Sequence, residues 1–142
     1  MKPALAGAWL CVVAGVTVAG VAPAAGRGTA QGVYTAAQAQ EGARLYAMRC
    51  AMCHGTRLEG TVETPELVGK FVANWGARPV SDLFEYVSRA MPQPAPGTLT
   101  PEDNARVVAY LLQVNGAPEG RRPLPADVPA LRRIQFEAIP PR

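Results

Sequence analysis

Residues 50–54 read Cys-Ala-Met-Cys-His, two thiols three positions apart followed at once by the only histidine among 142 residues. Three chemistries use such a pair, and each demands a different fold around it. A structural zinc ion needs four ligands, drawn mostly from Cys and His. The one other cysteine, Cys11, lies in an apolar leader, so a fourth ligand would have to be a carboxylate, and adjacent Cys53 and His54 make awkward partners. A thioredoxin-like redox pair sits where a strand enters a helix in a βαβ unit. Here the pair follows a helical pattern, and no alternating strand pattern occurs anywhere. What remains is covalent haem attachment, for which Cys-x-x-Cys-His is the pattern. The thiols of Cys50 and Cys53 add to the two vinyl groups, and His54 falls beneath the iron as an axial ligand. A haem held this way also serves as much of the core, which offsets the small size of the domain.

The front of the chain fixes the compartment. Lys2 precedes an uncharged run from Pro3 to Gly26 that ends in Ala22-Pro23-Ala24. A basic start, an apolar stretch and a small-x-small site read as a secretory signal peptide over residues 1–24, cut near Ala24 or Ala25. The alternative is an uncleaved membrane anchor, since the run is near the lower limit for spanning a bilayer. Export to the periplasm is expected, with membrane association only if the signal is retained. The formal charge is +3, and it is uneven. Residues 25–120 carry eight basic and nine acidic side chains, whereas residues 121–142 carry five Arg against Asp127 and Glu137. Basic residues are sparse in the body and lack aromatic interleaving, which excludes a nucleic-acid-binding pattern.

The rest of the chain reads as helices and punctuation, an all-α class. Residues 25–34 are small and polar and are expected to be a flexible N-terminus. Thr35 and Gln38 stand at capping-box spacing, and a helix is predicted over 36–48 with Ala39, Gly42, Ala43, Leu45 and Tyr46 on its packing face. Gly42 within that helix costs about 1 kcal/mol against Ala, which indicates that another helix crosses closely there. Residues 55–66 read as loop and 66–75 as a short helix or turn. Leu83, Val87 and Ala90 share one face of a helix over 80–91. Pro92, Pro94 and Pro96 then make a stiff, extended loop. Thr100 as cap, Pro101 at the first position, and Glu102 and Asp103 in the first turn open a helix that runs to Val114. Asn115-Gly116 stops it. The domain is expected over 35–116, followed by a Pro-rich basic tail over 117–142 that wraps the domain or docks on a partner.

With Cys50-Ala51-Met52-Cys53-His54-Gly55, Met91-Pro92, and Leu99-Thr100-Pro101-Glu102 leading to Val108-Ala109-Tyr110-Leu111-Leu112, the chain resembles the class I cytochromes c over about residues 35–116. The resemblance implies a fold of three to five helices wrapped around one covalently attached haem c, with the helix of Gly42 and Tyr46 crossing that of Tyr110. It implies that the carbonyl of Pro65, eleven residues after His54, accepts the histidine ring N–H, a bond that orients the ligand. It implies that Trp75 hydrogen-bonds a haem propionate; Arg78 or Arg49 is a candidate charge partner by residue type alone, and surface arginines commonly have no such role. The stretch from Phe71 to Gly120 further resembles cytochromes that work beside quinoprotein (pyrroloquinoline quinone) dehydrogenases.

The second axial ligand must be something other than histidine. Met52 lies inside the attachment loop and Met48 on the incoming helix, while Met91 follows His54 by 37 residues, enough chain to wrap the haem. Lys70 would have to lose its proton to serve. The expected metal ligands are therefore His54 and Met91. His/Met ligation raises the reduction potential relative to two nitrogens. The expected function is a periplasmic monohaem electron carrier without catalytic residues, passing single electrons from a quinoprotein dehydrogenase to another cytochrome or an oxidase. The alternatives are a haem enzyme or gas sensor with an open sixth site, and a bound cytochrome subunit of a dehydrogenase complex.

Overall fold

The computed structural model describes residues 27–137, so the signal-peptide reading over 1–24 lies outside the described residues. Two long helices set the frame. Helix α1 (Ala36–Arg49) opens where the Thr35 hydroxyl accepts the Gln38 N–H at 3.2 Å. Helix α5 (Pro101–Val114) opens where the Thr100 hydroxyl accepts the Asp103 N–H at 3.1 Å. Each cap satisfies a backbone donor that the first turn leaves free. Between them lie α2 (Ala51–His54), α3 (Lys70–Trp75) and α4 (Val80–Ala90), and α6 (Val128–Leu131) follows. The helices expected at 36–48, 80–91 and 101–114 are thus present to within a residue. The one expected over 66–75 starts later, at Lys70, because residues 66–69 turn through Gly69 at φ +61°.

Helices α1 and α5 cross with Gly42 at the contact. A Cβ at Gly42 would strike the Arg106 carbonyl oxygen and would lie 3.0 Å from the Tyr110 Cβ. The missing side chain lets the backbones touch. One turn further on, the rings of Tyr46 and Tyr110 pack 5.4 Å apart. Ala39, Gly42 and Tyr46 of α1 meet Ala105, Val108, Ala109 and Leu112 of α5 in the core. Val80, Leu83, Phe84 and Val87 bury one face of α4, each worth about 1.5–3 kcal/mol when fully removed from water. The ion pairs of Arg106 with Glu41 and Asp103, both 2.7 Å, are partly exposed and add little.

One segment departs from expectation, and the tail takes one of its two expected courses. Residues 27–34, expected to be flexible, are packed. Arg27–Gly28 form a short strand β1, Thr29–Gln31 a 3-10 turn, and Thr29, Val33 and Tyr34 are buried. The partner of β1 is β2 (Ile134–Gln135), in parallel register Arg27↔Ile134 and Gly28↔Gln135. These strands escape a search for local alternation because two residues carry no period and the pairing crosses more than a hundred positions. The Pro-rich segment after Gly116 wraps the domain. The Tyr34 hydroxyl donates to the Ala117 carbonyl at 2.5 Å. Leu124 is held by the Gln38 amide on both sides, Nε2 to Leu124 O at 2.9 Å and Leu124 N to Oε1 at 2.7 Å. Leu124, Leu131, Ile134 and Phe136 are buried.

Candidate functional site

Helix α1 delivers the Cys-x-x-Cys-His segment to the middle of the molecule. The Cys50 N–H still bonds back to Tyr46 O at 2.8 Å, and the chain then bends through Cys50 into α2, where the His54 N–H bonds to Cys50 O at 2.9 Å. Gly55, at φ +80°, ends the turn. Its carbonyl accepts the Tyr46 hydroxyl at 2.6 Å. Burial pushes the Tyr46 hydroxyl well above its ordinary pKa, so it stays a donor at any physiological pH. The following loop folds back on the histidine: Gly60 N–H donates to His54 O at 2.8 Å, and Leu67 N–H to Leu58 O at 2.9 Å. Asn115 Nδ2, at the end of α5, anchors the loop by donating to Leu67 O at 2.9 Å.

This return places the Pro65 carbonyl oxygen 3.0 Å from His54 Nδ1. A carbonyl can only accept, so Nδ1 carries the proton and Nε2 keeps its lone pair for a ligand bond. His54 is 8 % exposed, and its ring orientation is fixed from behind.

Cys50, Cys53, His54, Pro65, Trp75 and Met91, the six residues singled out from the sequence, line one cavity of about 630 Å³. That size falls within the range of roughly 300–1,000 Å³ typical of ligand sites. Phe71, Leu83, Val87, Val107 and Leu111 give it an apolar interior. Neither Cys50 nor Cys53 is in a disulfide, and burial pushes the Cys50 thiol up. Among the described residues no group of three or more His, Cys, Asp or Glu side chains gathers to hold a bare metal ion. The donors are spread along a hollow, which suits a flat group held at several points: two thiols, an oriented imidazole and a thioether. Met91 caps α4 with its N–H on Val87 O at 3.0 Å and precedes a cis Pro92. The loop behind it is stitched by Ala95 N–H to Pro92 O at 2.9 Å and by the Thr98 hydroxyl to Ala95 O at 2.8 Å. Arg49, next to Cys50, donates to that same hydroxyl at 3.0 Å and ties the two halves of the site together. Met48 and Met52 stand at the mouth, 70 % and 88 % exposed. Lys70 lies outside the cavity, on a smaller neighbouring hollow.

The wall around Trp75 was only partly visible in the sequence. Trp75 packs against Phe71 at 6.3 Å and Tyr86 at 5.7 Å, and the Arg78 guanidinium lies 5.0 Å over its ring. Arg78 also bonds Asp82 through Nε at 2.9 Å. The signal for Phe71 was its i,i+4 spacing to Trp75 on one helix face. The Tyr46 bond to Gly55 had no local signal beyond a tyrosine one turn before the motif.

A family model described as cytochrome C oxidase, cbb3-type, subunit III matches residues 37–111. Thiosulfate dehydrogenase of Stutzerimonas stutzeri (strain A1501) is 32 % identical over 78 residues, which cover 50 % of this chain and 25 % of that protein. The crystal structure of the sulfane dehydrogenase SoxCD from Paracoccus pantotrophus matches with a TM-score of 0.47 and 29 % identity, over 64 % of this chain and 55 % of that one. The chain therefore spans a quarter of the length of the first relative and about half of the second.

Proposed function

Because this chain belongs to the class I c-type cytochromes, in the family described as cytochrome c oxidase, cbb3-type, subunit III, and so is an electron-transfer protein with one covalent haem c, we propose that it is a periplasmic single-electron carrier whose haem is held by Cys50, Cys53, His54 and Met91. The observation that carries this reading is the convergence of all six candidate residues on one cavity, with His54 Nδ1 bound to Pro65 O at 3.0 Å. When bound, the haem supplies a one-electron ferric/ferrous couple. Cys50 and Cys53 anchor it through thioether bonds. The Pro65 carbonyl holds the His54 ring in one tautomer and makes Nε2 the more basic ligand. Met91 offers a soft, neutral sulfur, which favours the ferrous state. The loop behind Met91, fastened to Arg49 through Thr98, limits movement of that sulfur between oxidation states. The apolar interior excludes water.

Four large hydrophobic side chains are strongly exposed among the described residues: Met48, Met52, Val62 and Tyr86. Three of them, Met48, Met52 and Tyr86, line the mouth of the cavity. An apolar rim of this kind suits the small, transient contacts of redox partners, below about 1,200 Å². The proposed donor is a dehydrogenase and the acceptor another cytochrome or an oxidase. The similarity to thiosulfate dehydrogenase supports a dehydrogenase of inorganic sulfur compounds as donor alongside the quinoprotein enzymes that the sequence resemblance implies. The test is a carbon monoxide difference spectrum of the purified, reduced protein, after covalent haem is confirmed in the same sample. Absence of binding is expected, with rapid binding in Met91→Ala. Stoichiometric binding by the unaltered protein would refute Met91 ligation and move an enzyme or sensor role to the front.

A further inference from the structure

Residues 132–137 lie beyond the stretch that the family model matches, and the site as described makes no use of them. They end against the back of the cavity wall. The Phe136 N–H donates to Arg78 O at 2.8 Å, and the Phe136 carbonyl accepts the Ala77 N–H at 2.8 Å. Gln135 forms an antiparallel bridge with Pro79. The buried Phe136 ring meets Phe71 edge-on at 6.1 Å. Phe71 packs on Trp75, and Arg78 lies over Trp75. Phe71, Trp75 and Arg78 all line the cavity, whereas Phe136 does not.

The turn between α3 and α4 carries a conformation that needs support. Ala77 sits at φ +62°, a left-handed conformation disfavoured for any residue with a Cβ. Helix α3 has six residues, far fewer than a helix needs to persist alone. Within the turn the Gly76 N–H bonds to Val72 O at 2.7 Å and the Arg78 N–H to Trp75 O at 3.2 Å, and from outside it the C-terminal segment adds two main-chain bonds and a ring. We infer that Phe136 is a positioning residue for the haem site. By clamping the α3–α4 turn it fixes Trp75, with the Arg78 guanidinium over its ring, in the cavity wall, and so governs how far water reaches the bound haem. This inference rests on the haem reading above. A loosened wall admits water, which favours the more highly charged ferric form and lowers the reduction potential.

A brace that only stabilises the fold would behave differently, and Leu131 provides the comparison. It is fully buried on α6, which packs on α4, and it does not line the cavity. The experiment compares the holoprotein with its Phe136→Ala, Phe136→Leu and Leu131→Ala variants. It reads the midpoint potential, the hydrogen-exchange rate of the Trp75 indole N–H, and the urea midpoint. Phe136→Ala should lower the potential and speed indole exchange about tenfold, and Phe136→Leu should restore most of both. Leu131→Ala should lower the urea midpoint and leave the potential in place. Equal potential shifts in Phe136→Ala and Leu131→Ala, or no shift in either, would overturn the inference. If Phe136→Ala does not fold, Phe136→Val takes its place, and an unchanged potential and indole exchange rate in Phe136→Val overturns it too. A parent protein without covalent haem would defeat the earlier reading instead. Indole exchange in the same variants would still show whether Phe136 positions Trp75.

Discussion

Replacing Gly42 by alanine sets two effects of opposite sign against each other. In an isolated helix, Gly→Ala stabilises by about 1 kcal/mol. Here the added methyl would overlap the Arg106 carbonyl oxygen and lie 2.6 Å from the Arg106 carbonyl carbon, about 0.8 Å short of the 3.4 Å at which ordinary contact begins. The obstacle is the backbone of α5, which cannot rotate aside as a flexible side chain can. Relief therefore requires the two helices to move apart, loosening the Tyr46–Tyr110 pair at 5.4 Å and straining the Tyr46 bond to Gly55. Overpacking typically costs about 1–3 kcal/mol, and a rigid backbone obstacle puts this case at or above the upper end. Set against the propensity gain, the net loss is about 2 kcal/mol. At about 4 °C per kcal/mol for a domain of this size, Tm should fall by about 8 °C. The assay is thermal unfolding of the holoprotein, followed through the backbone signal. A Tm equal to or above that of the parent would mean that the helices do not touch at Gly42, and the crossing argument would be wrong.

Further outcomes follow from other positions. Gln38→Ala removes both bonds that hold Leu124 and should cost about 1–3 kcal/mol in urea unfolding, with faster exchange at the Leu124 amide. Ala77→Gly relieves the left-handed conformation at φ +62° and should stabilise by about 1 kcal/mol, read as a higher Tm. Burial raises the hydroxyl pKa of Tyr34, Tyr46 and Tyr110 above the ordinary value. The unfolded chain therefore loses these protons first as pH rises. Stability should be flat to about pH 9 and fall above about pH 10. Tyr46→Phe should flatten that decline in a series of urea midpoints.

Much of the frame was legible because its signals are local. Thr35 and Thr100 cap their helices through bonds to residues three positions on, and Gly42 announced a close crossing by its cost alone. The donors Cys50, Cys53 and His54 are contiguous, and their pattern names its own chemistry. Pro65 is different: nothing in its neighbourhood says that its carbonyl will meet His54, and only the family resemblance pointed there. The segment after Gly116 was legible in part. Its prolines marked irregular chain, but its place depends on Gln38, Tyr34 and Arg78, partners 50 to 90 positions away whose contacts no local period encodes. The packing of residues 27–34 was hidden for the same reason, since Arg27 and Gly28 acquire their strand geometry from Ile134 and Gln135.

That last pairing has a consequence in time. The cysteine segment precedes α5 and β2 in the chain, which lie within positions 101–135. The contacts of α1 with α5, and of β1 with β2, span long stretches of chain, and such closures are slow to form. The turn that carries Cys50 and Cys53, held by bonds only three or four residues long, can therefore form before these closures are complete. Local bonds shape the attachment turn, and only distant ones close the protein over it.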